Sequence, residues 1–247
     1  VKLLGHVYVA TKAFPKKDKE LLTLGAILPE LVFYIKHPVF KYEQFHEGGL
    51  DLYKYLTKNK KEFTDIAIGI LAHSEKYGAD RFNTIFKLFE IGLEESDIDE
   101  IAQALGISEK RAEIRAHNMY GLAIEYYLAK SNPEILKLIK NVKLIDQKEI
   151  SIILSKYFKT DPKKTLENMN HIWKIYDLRL VNSFSGLATL WKRLAQNFIE
   201  RNTMDLKKTA SVIETIYLKT KSKIPAFLNK VTKETRNNIL QAIRTTR

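Results

Sequence analysis

The chain has 247 residues, 45% hydrophobic and 28% charged, with a formal net charge of +12 and no cysteine. That length and balance suit a globular protein able to bury a sizeable core, as one large domain or two small ones. The missing thiols exclude disulfides and thiolate metal sites, so any metal must be held by His, carboxylate, backbone or water.

The dominant period is helical from end to end. The opening VKLLGHVYVATKAF is too short and too broken by His6 to be a signal peptide. No run approaches the roughly 18 apolar residues of a membrane span, and a cytoplasmic protein is expected. The apolar run Leu24–Ile35 carries one acid, Glu30. His37 precedes Pro38 in a turn, and His46 precedes the helix break Glu47-Gly48-Gly49. EFTDIAIGILAHSEKYGADRFNTIFKLFEIGL reads as one or two helices, with Ile66–Ala72 as a buried span ending at His73. ESDIDEIAQALG takes Ser96 as its cap and Gly106 as its end. Ser108 then caps a long helix with Ile114, Met119, Leu122, Ile124 and Tyr126 as apolar positions and His117 among them.

Pro133 biases Asn132 away from helix, which places a seam at Ser131-Asn132-Pro133. Asp161-Pro162 opens a helix with Leu166, Met169, Trp173 and Tyr176 at helical spacing. LATLWKRLAQNFIE and DLKKTASVIETIYLKTK follow in the same style, and the final TTR is expected to fray. No period-2 strand or Asn-Gly hairpin signal appears. The expectation is an all-α bundle of about ten helices, with a helical metal-site domain over 1–131 and a basic helical domain or extension over 132–247.

The charge changes at the same seam. Residues 1–131 hold 18 Lys+Arg against 19 Asp+Glu, while 132–247 hold 23 against 10. Such asymmetry points to an acidic partner, nucleic acid among them, or to a Lys-rich surface. Lys156, Lys159, Lys163 and Lys164 form one local concentration, and Lys219, Lys221 and Lys223 another.

Imidazoles and carboxylates arriving from separate helices are how an all-α protein builds a metal site in its core. His6, Glu30, His46, His73 and His117 are the candidate ligands, and Glu30 or Asp80 the candidate general base. His37 and His171 read as surface or structural residues. On one continuous helix, His73 and Asp80 would stand roughly 10 Å apart along the axis, and His117 and Glu125 roughly 12 Å. Neither pair alone would chelate an ion, so a site needs one residue from each of several helices. Gly69, Gly78 and Gly121 within helical patterns each cost about 1 kcal/mol relative to Ala. Close helix packing or access to a cavity would explain them.

GHVYVATKA, GAILPE, QFHEGG, AIGILAH and AHNMYGLAIEYYL, in that order over roughly residues 1–130, form a series. It resembles the ligand motifs of the all-α zinc-dependent phospholipases C, which share their fold with the single-strand-specific zinc nucleases. The resemblance implies zinc ions at the bottom of a cleft, with His6, Glu30, His46, His73 and His117 as ligands. The chain departs from the family's pattern at several points. Tyr77 stands where a carboxylate is expected four residues after His73, and Gly121 where a Glu is expected four after His117. Arg81 and Phe82 stand where a further His is usual, and Glu30 replaces Asp. The expected function is a metal-dependent phosphoric-ester hydrolase, phospholipase C-like or nuclease-like, acting on an anionic substrate. The alternative is a non-catalytic helical binding module for nucleic acid or protein with a degenerate metal site.

Overall fold

Proline in the first turn and aspartate just before it start many of these helices. Asp18, Asp161 and Asp205 each accept hydrogen bonds from backbone N–H groups of the turn that follows. Pro133 and Pro162 occupy first-turn positions whose N–H would be unpaired anyway. The structure is a computed structural model describing residues 2–35, 37–195, 198 and 200–245, with only the backbone at Ile85, Phe86 and Phe89. All regular elements among the described residues are helical, and none is long and apolar enough to cross a membrane.

The first half contains α1 (Leu3–Ala13), α2 (Lys19–Ile27), α3 (Leu31–Tyr34), α4 (Tyr42–His46) and α5 (Gly49–Asn59). It continues with α6 (Thr64–His73), α7 (Ile85–Glu90), α8 (Glu95–Leu105) and the long α9 (Glu109–Ser131). The second half contains α10 (Pro133–Leu144), α11 (Lys148–Phe158), α12 (Pro162–Ile175) and α13 (Phe184–Leu194). Short α14 (Glu200–Thr203) leads to α15 (Leu206–Thr220) and α16 (Ile224–Arg244). Short 3-10 turns at Leu28–Glu30 and Ala79–Phe82 matter for the site.

Several expectations are corrected. The described residues form more than the expected ten or so helices, because α3, α4 and α14 are too short to show a helical period in the sequence. Helix α8 begins before Ser96, and its first turn is closed by Asp97 accepting from the Glu94 N–H at 2.9 Å. Ser108 does precede α9, but its hydroxyl makes no capping bond. Ile114 is 58% exposed. The inward stripe of α9 runs through Ala112, Ala116 and Met119, and Ile114 lies on the far side of the helix. The segment from Glu62 to Leu93 does form two α-helices, α6 and α7, with the 3-10 turn Ala79–Phe82 between them. Thr246 and Arg247 of the TTR tail lie outside the described residues.

The seam at 131–133 ends a helix but does not divide the core. One apolar cluster runs from Leu3, Leu22 and Ile70 through Leu122 and Leu128 to Leu187, Ile213 and Val231. Charge also ties the halves together. Lys219 pairs with Asp97 at 2.7 Å and with Glu94 at 3.0 Å, and Lys230 pairs with Glu90 at 3.1 Å. The exposed pairs Lys219–Glu94 and Lys230–Glu90 contribute about 0–1 kcal/mol each, so apolar burial carries most of the docking.

The tightest contact is the crossing of α2 and α6. A Cβ on Gly25 would stand 2.1 Å from the Ile66 carbonyl oxygen, and one on Gly69 2.3 Å from that of Leu22. Only hydrogen fits at either position. Gly69→Ala is expected to lower the unfolding free energy by about 3 kcal/mol, the upper range for overpacking. The readout is a lower urea midpoint with an unchanged slope, and a wild-type midpoint would contradict the crossing.

Candidate metal centre

Helix α6 is buried along nearly all of its length and ends at His73. The Gly25–Gly69 crossing sets the ring against the last turn of α2, where His73 Nδ1 meets the Ala26 carbonyl at 2.8 Å. A carbonyl on Nδ1 fixes a histidine's tautomer and leaves Nε2 as the free ligand atom. His73 Nε2 lies 3.2 Å from Asp80 Oδ2.

Seven residues of continuous helix would have separated those two groups. Instead the chain leaves the helix at Ser74 (φ −52, ψ 156) and doubles back. The Gly78 N–H bonds to the Ser74 carbonyl at 2.8 Å. A Cβ on Gly78 would stand 2.3 Å from the Ala72 carbonyl oxygen, so the turn lies flat against the helix it has just left. The 3-10 turn Ala79–Phe82 then presents Asp80 to the end of α6. The expected separation of His73 and Asp80 is thus corrected. A carboxylate does stand beside His73, supplied by a longer excursion than four residues.

Three further groups converge on Asp80 and His73. His6, on α1, stacks on His73 with ring centroids 3.6 Å apart. Its Nε2 lies 3.4 Å from Asp80 Oδ1 and 3.6 Å from Glu30 Oε1. His46 ends α4, with Nδ1 3.2 Å from the Tyr42 carbonyl and its ring stacked on Tyr42 at 4.0 Å. His46 Nε2 faces Asp80 Oδ2 at 3.4 Å without the geometry of a hydrogen bond. Glu30 closes the 3-10 turn that Pro29 starts after α2. All three imidazoles are 1% exposed and Glu30 is 4% exposed.

This arrangement fits a divalent ion. Ligand atoms of His6, Glu30 and His73 lie within 4.8 Å of one another, as do those of His46, His73 and Asp80. The nitrogen–oxygen separations of 3.2 to 3.6 Å match the edge of a tetrahedron with bonds of about 2.0–2.1 Å, which is roughly 3.4 Å. His46 Nε2, which faces Asp80, is buried without a hydrogen bond, an arrangement that normally costs stability unless something occupies the nitrogen. Imidazole and carboxylate ligands suit zinc and its first-row neighbours.

The electrostatics agree with the geometry. Burial pushes the Asp80 carboxyl up, but His73, His6 and His46 override it and hold it well below the usual carboxylate range. Burial pulls His73 down, yet Asp80, Glu30 and the Ala26 carbonyl leave it raised. His6 is pulled well below the usual imidazole range by burial first and His73 second.

His117 is placed differently. It lines the cavity onto which the cluster opens, but belongs to neither close set among the described residues. Burial pulls it down to about 3, so it is a neutral wall residue. Glu125 also stands apart from the cluster. It accepts the Leu4 and Gly5 N–H groups at 3.1 Å each and a hydrogen bond from the Tyr176 hydroxyl. It therefore caps α1 and fixes the helix that carries His6. His37 is exposed, and His171 is half-buried on α12.

The cavity measures about 590 Å³. Its walls add Lys2, Tyr34 and Arg115, with Trp191 and Phe198 from the second half. Sequence reasoning missed all five. Lys2 alone had a local signal, standing one helical turn before His6. Compared with known protein families, curated proteins and solved structures, the chain matches none.

Glu125 yields a pH prediction. Burial, the largest influence, pushes its carboxyl from 4.5 up to about 7, against the hydrogen bonds it accepts. A raised native value means that the stabilisation is complete below pH 4.5 and is lost as pH rises through about 7. Relative to Glu125→Gln, wild-type stability should fall by about 3 kcal/mol across that window. Parallel curves for the two proteins in pH-resolved urea denaturation would contradict the assignment.

Proposed function

We propose that the chain is a metal-dependent phosphoric-ester hydrolase whose resident ion is a divalent metal, zinc fitting best. The observation that carries this reading is the convergence of His6, Glu30, His46, His73 and Asp80, all but His46 lining a cavity that also holds cationic side chains. The resemblance to the zinc-dependent phospholipases C and single-strand-specific nucleases supports it. Asp80 supplies a carboxylate that Tyr77 could not. Asp80 directs Oδ1 toward His6 and Oδ2 toward His46 and His73, so its two oxygens would serve two ions.

A divalent ion in such a site supplies Lewis-acid polarisation of a phosphoryl oxygen and a more acidic water. The chain's own groups do the rest. Asp80, held ionised by three imidazoles, is a ligand and a poor proton acceptor. Glu30, which accepts a hydrogen bond from the Tyr34 side chain, is the candidate general base. The water oxygen bonds to phosphorus as the ester P–O bond breaks. One water proton passes to Glu30 and then to the departing alkoxide. Burial of the three histidines keeps bulk water from their ring nitrogens.

The second half would contribute attraction for the anionic substrate. A separate cleft of about 450 Å³ gathers Lys140, Lys143, Lys174, Arg179 and Arg193. It is the natural place for a nucleic-acid backbone to touch residues 132–247.

The test is turnover of bis(p-nitrophenyl) phosphate and p-nitrophenyl phosphate with added Zn²⁺, Mn²⁺ or Ni²⁺. Hydrolysis is expected with at least one ion. His73→Ala and Asp80→Ala are expected to lower it by about 100-fold or more, the upper range for perturbing even the outer partners of metal ligands. Full activity in either variant would overturn the site assignment. Absence of turnover with every metal and ester would favour the non-catalytic binding module.

A further inference from the structure

Lys2 is 8% exposed, and among the described residues no carboxylate lies within ion-pair distance of its ammonium. The Lys2 carbonyl accepts the His6 N–H at 2.8 Å, so the two residues belong to one turn. Four residues of helix put their side chains on one face, about 6 Å apart along the axis. Lys2 Nζ donates to the Tyr34 hydroxyl at 3.1 Å and lies over the rings of Tyr34 and Trp191 at 5.8 and 5.4 Å. An ammonium has three donors and here spends one on a named partner. Burial pulls it down from the usual lysine range, opposed by Glu30, Asp80 and Glu125 at longer range. A cation withdrawn from water without a close counter-charge is costly unless a ligand brings one.

Arg115, on α9, reaches the same cavity by a different construction. Its Nε donates to Glu200 Oε1 at 2.5 Å, and its guanidinium lies over the Phe198 ring at 4.1 Å. Glu200 is 1% exposed, so the partner cannot swing away into water. The plane is therefore fixed on one edge and one face. A guanidinium held in this way keeps its remaining N–H groups as a pre-oriented fork for an oxyanion.

We propose that Lys2 and Arg115 form an anion-binding wall that takes the phosphoryl oxygens of the substrate not engaged at the histidine–carboxylate cluster. This inference rests on the hydrolase reading for the identity of the anion. Lys2 acts as a point charge beside His6, and Arg115 as the fork that orients the group. Glu200 and Phe198 are positioning residues for Arg115. All three supports, Trp191, Phe198 and Glu200, come from the second half, which makes that half part of the substrate site.

The experiment is titration calorimetry of the full chain with inorganic phosphate, with and without bound zinc. Wild type is expected to bind phosphate in both states. Lys2→Met and Arg115→Met should each weaken binding by about tenfold or more, as for losing a hydrogen bond to a charged group. Glu200→Gln and Arg115→Lys should weaken it severalfold, the latter despite keeping the charge. These two conservative variants decide the matter if the methionine variants do not melt cooperatively. Unchanged affinity in the folded variants, or no phosphate binding by wild type, would overturn the wall. If variant-sensitive phosphate binding persists while no ester is hydrolysed with any metal, the hydrolase reading fails and the wall stands. Ester turnover with phosphate affinity indifferent to both side chains would mean the reverse.

Discussion

The contact between Gly25 and Gly69 determines where the site can be. Two backbones approach so closely there that no Cβ fits, and the turns next to the crossing have little freedom of position. One residue past Gly25, the Ala26 carbonyl meets His73 Nδ1 at 2.8 Å and turns Nε2 toward Asp80. The same rigidity supports the stacking of His6 on His73. A helix crossing of this kind spends helix propensity, about 1 kcal/mol per glycine, on the placement of His73. Gly78 does similar work on a smaller scale, because it lets the chain return along α6 and deliver Asp80.

Buried polar contacts then bind the second half to this centre. Glu125 holds the first turn of α1 through Leu4 and Gly5, and Tyr176 from beyond α12 holds Glu125. Arg115 on α9 is held by Glu200. Each joins residues far apart in sequence across the continuous apolar core. Removing one partner of such a pair leaves a buried polar group unsatisfied, which costs more than the pair contributes when intact. The halves that differ so sharply in charge are therefore parts of one structure, and the cavity has walls from both.

Much of this was legible in the sequence because helical periodicity and histidine placement are local signals. The all-α architecture, the buried span Ile66–Ala72, the helix ending at Ser131 and the left-handed Gly106 stop all follow from spacing and caps. His6, Glu30, His46 and His73 could be picked out as polar residues in apolar helical surroundings. Asp80 was harder. Treating its segment as helix gave a separation of about 10 Å, and nothing in EKYGAD marks a tight return except Gly78. The anion wall was not legible at all. Arg115 becomes informative only once Glu200 and Phe198 lie beside it, and that juxtaposition belongs to packing across more than 80 positions. His117 illustrates the converse. Its helical setting resembled that of a ligand, yet its side chain lies on the cavity wall instead of in the cluster.

The metal centre is tested most directly by anomalous diffraction from crystals of the protein grown with zinc, measured on both sides of the zinc edge. A peak is expected about 2.0–2.2 Å from His46 Nε2, His73 Nε2 and an Asp80 oxygen, and a second beside His6, Glu30 and the other Asp80 oxygen if both ions bind. An empty cluster with anomalous signal only at surface residues would contradict the metal centre and the hydrolase built on it.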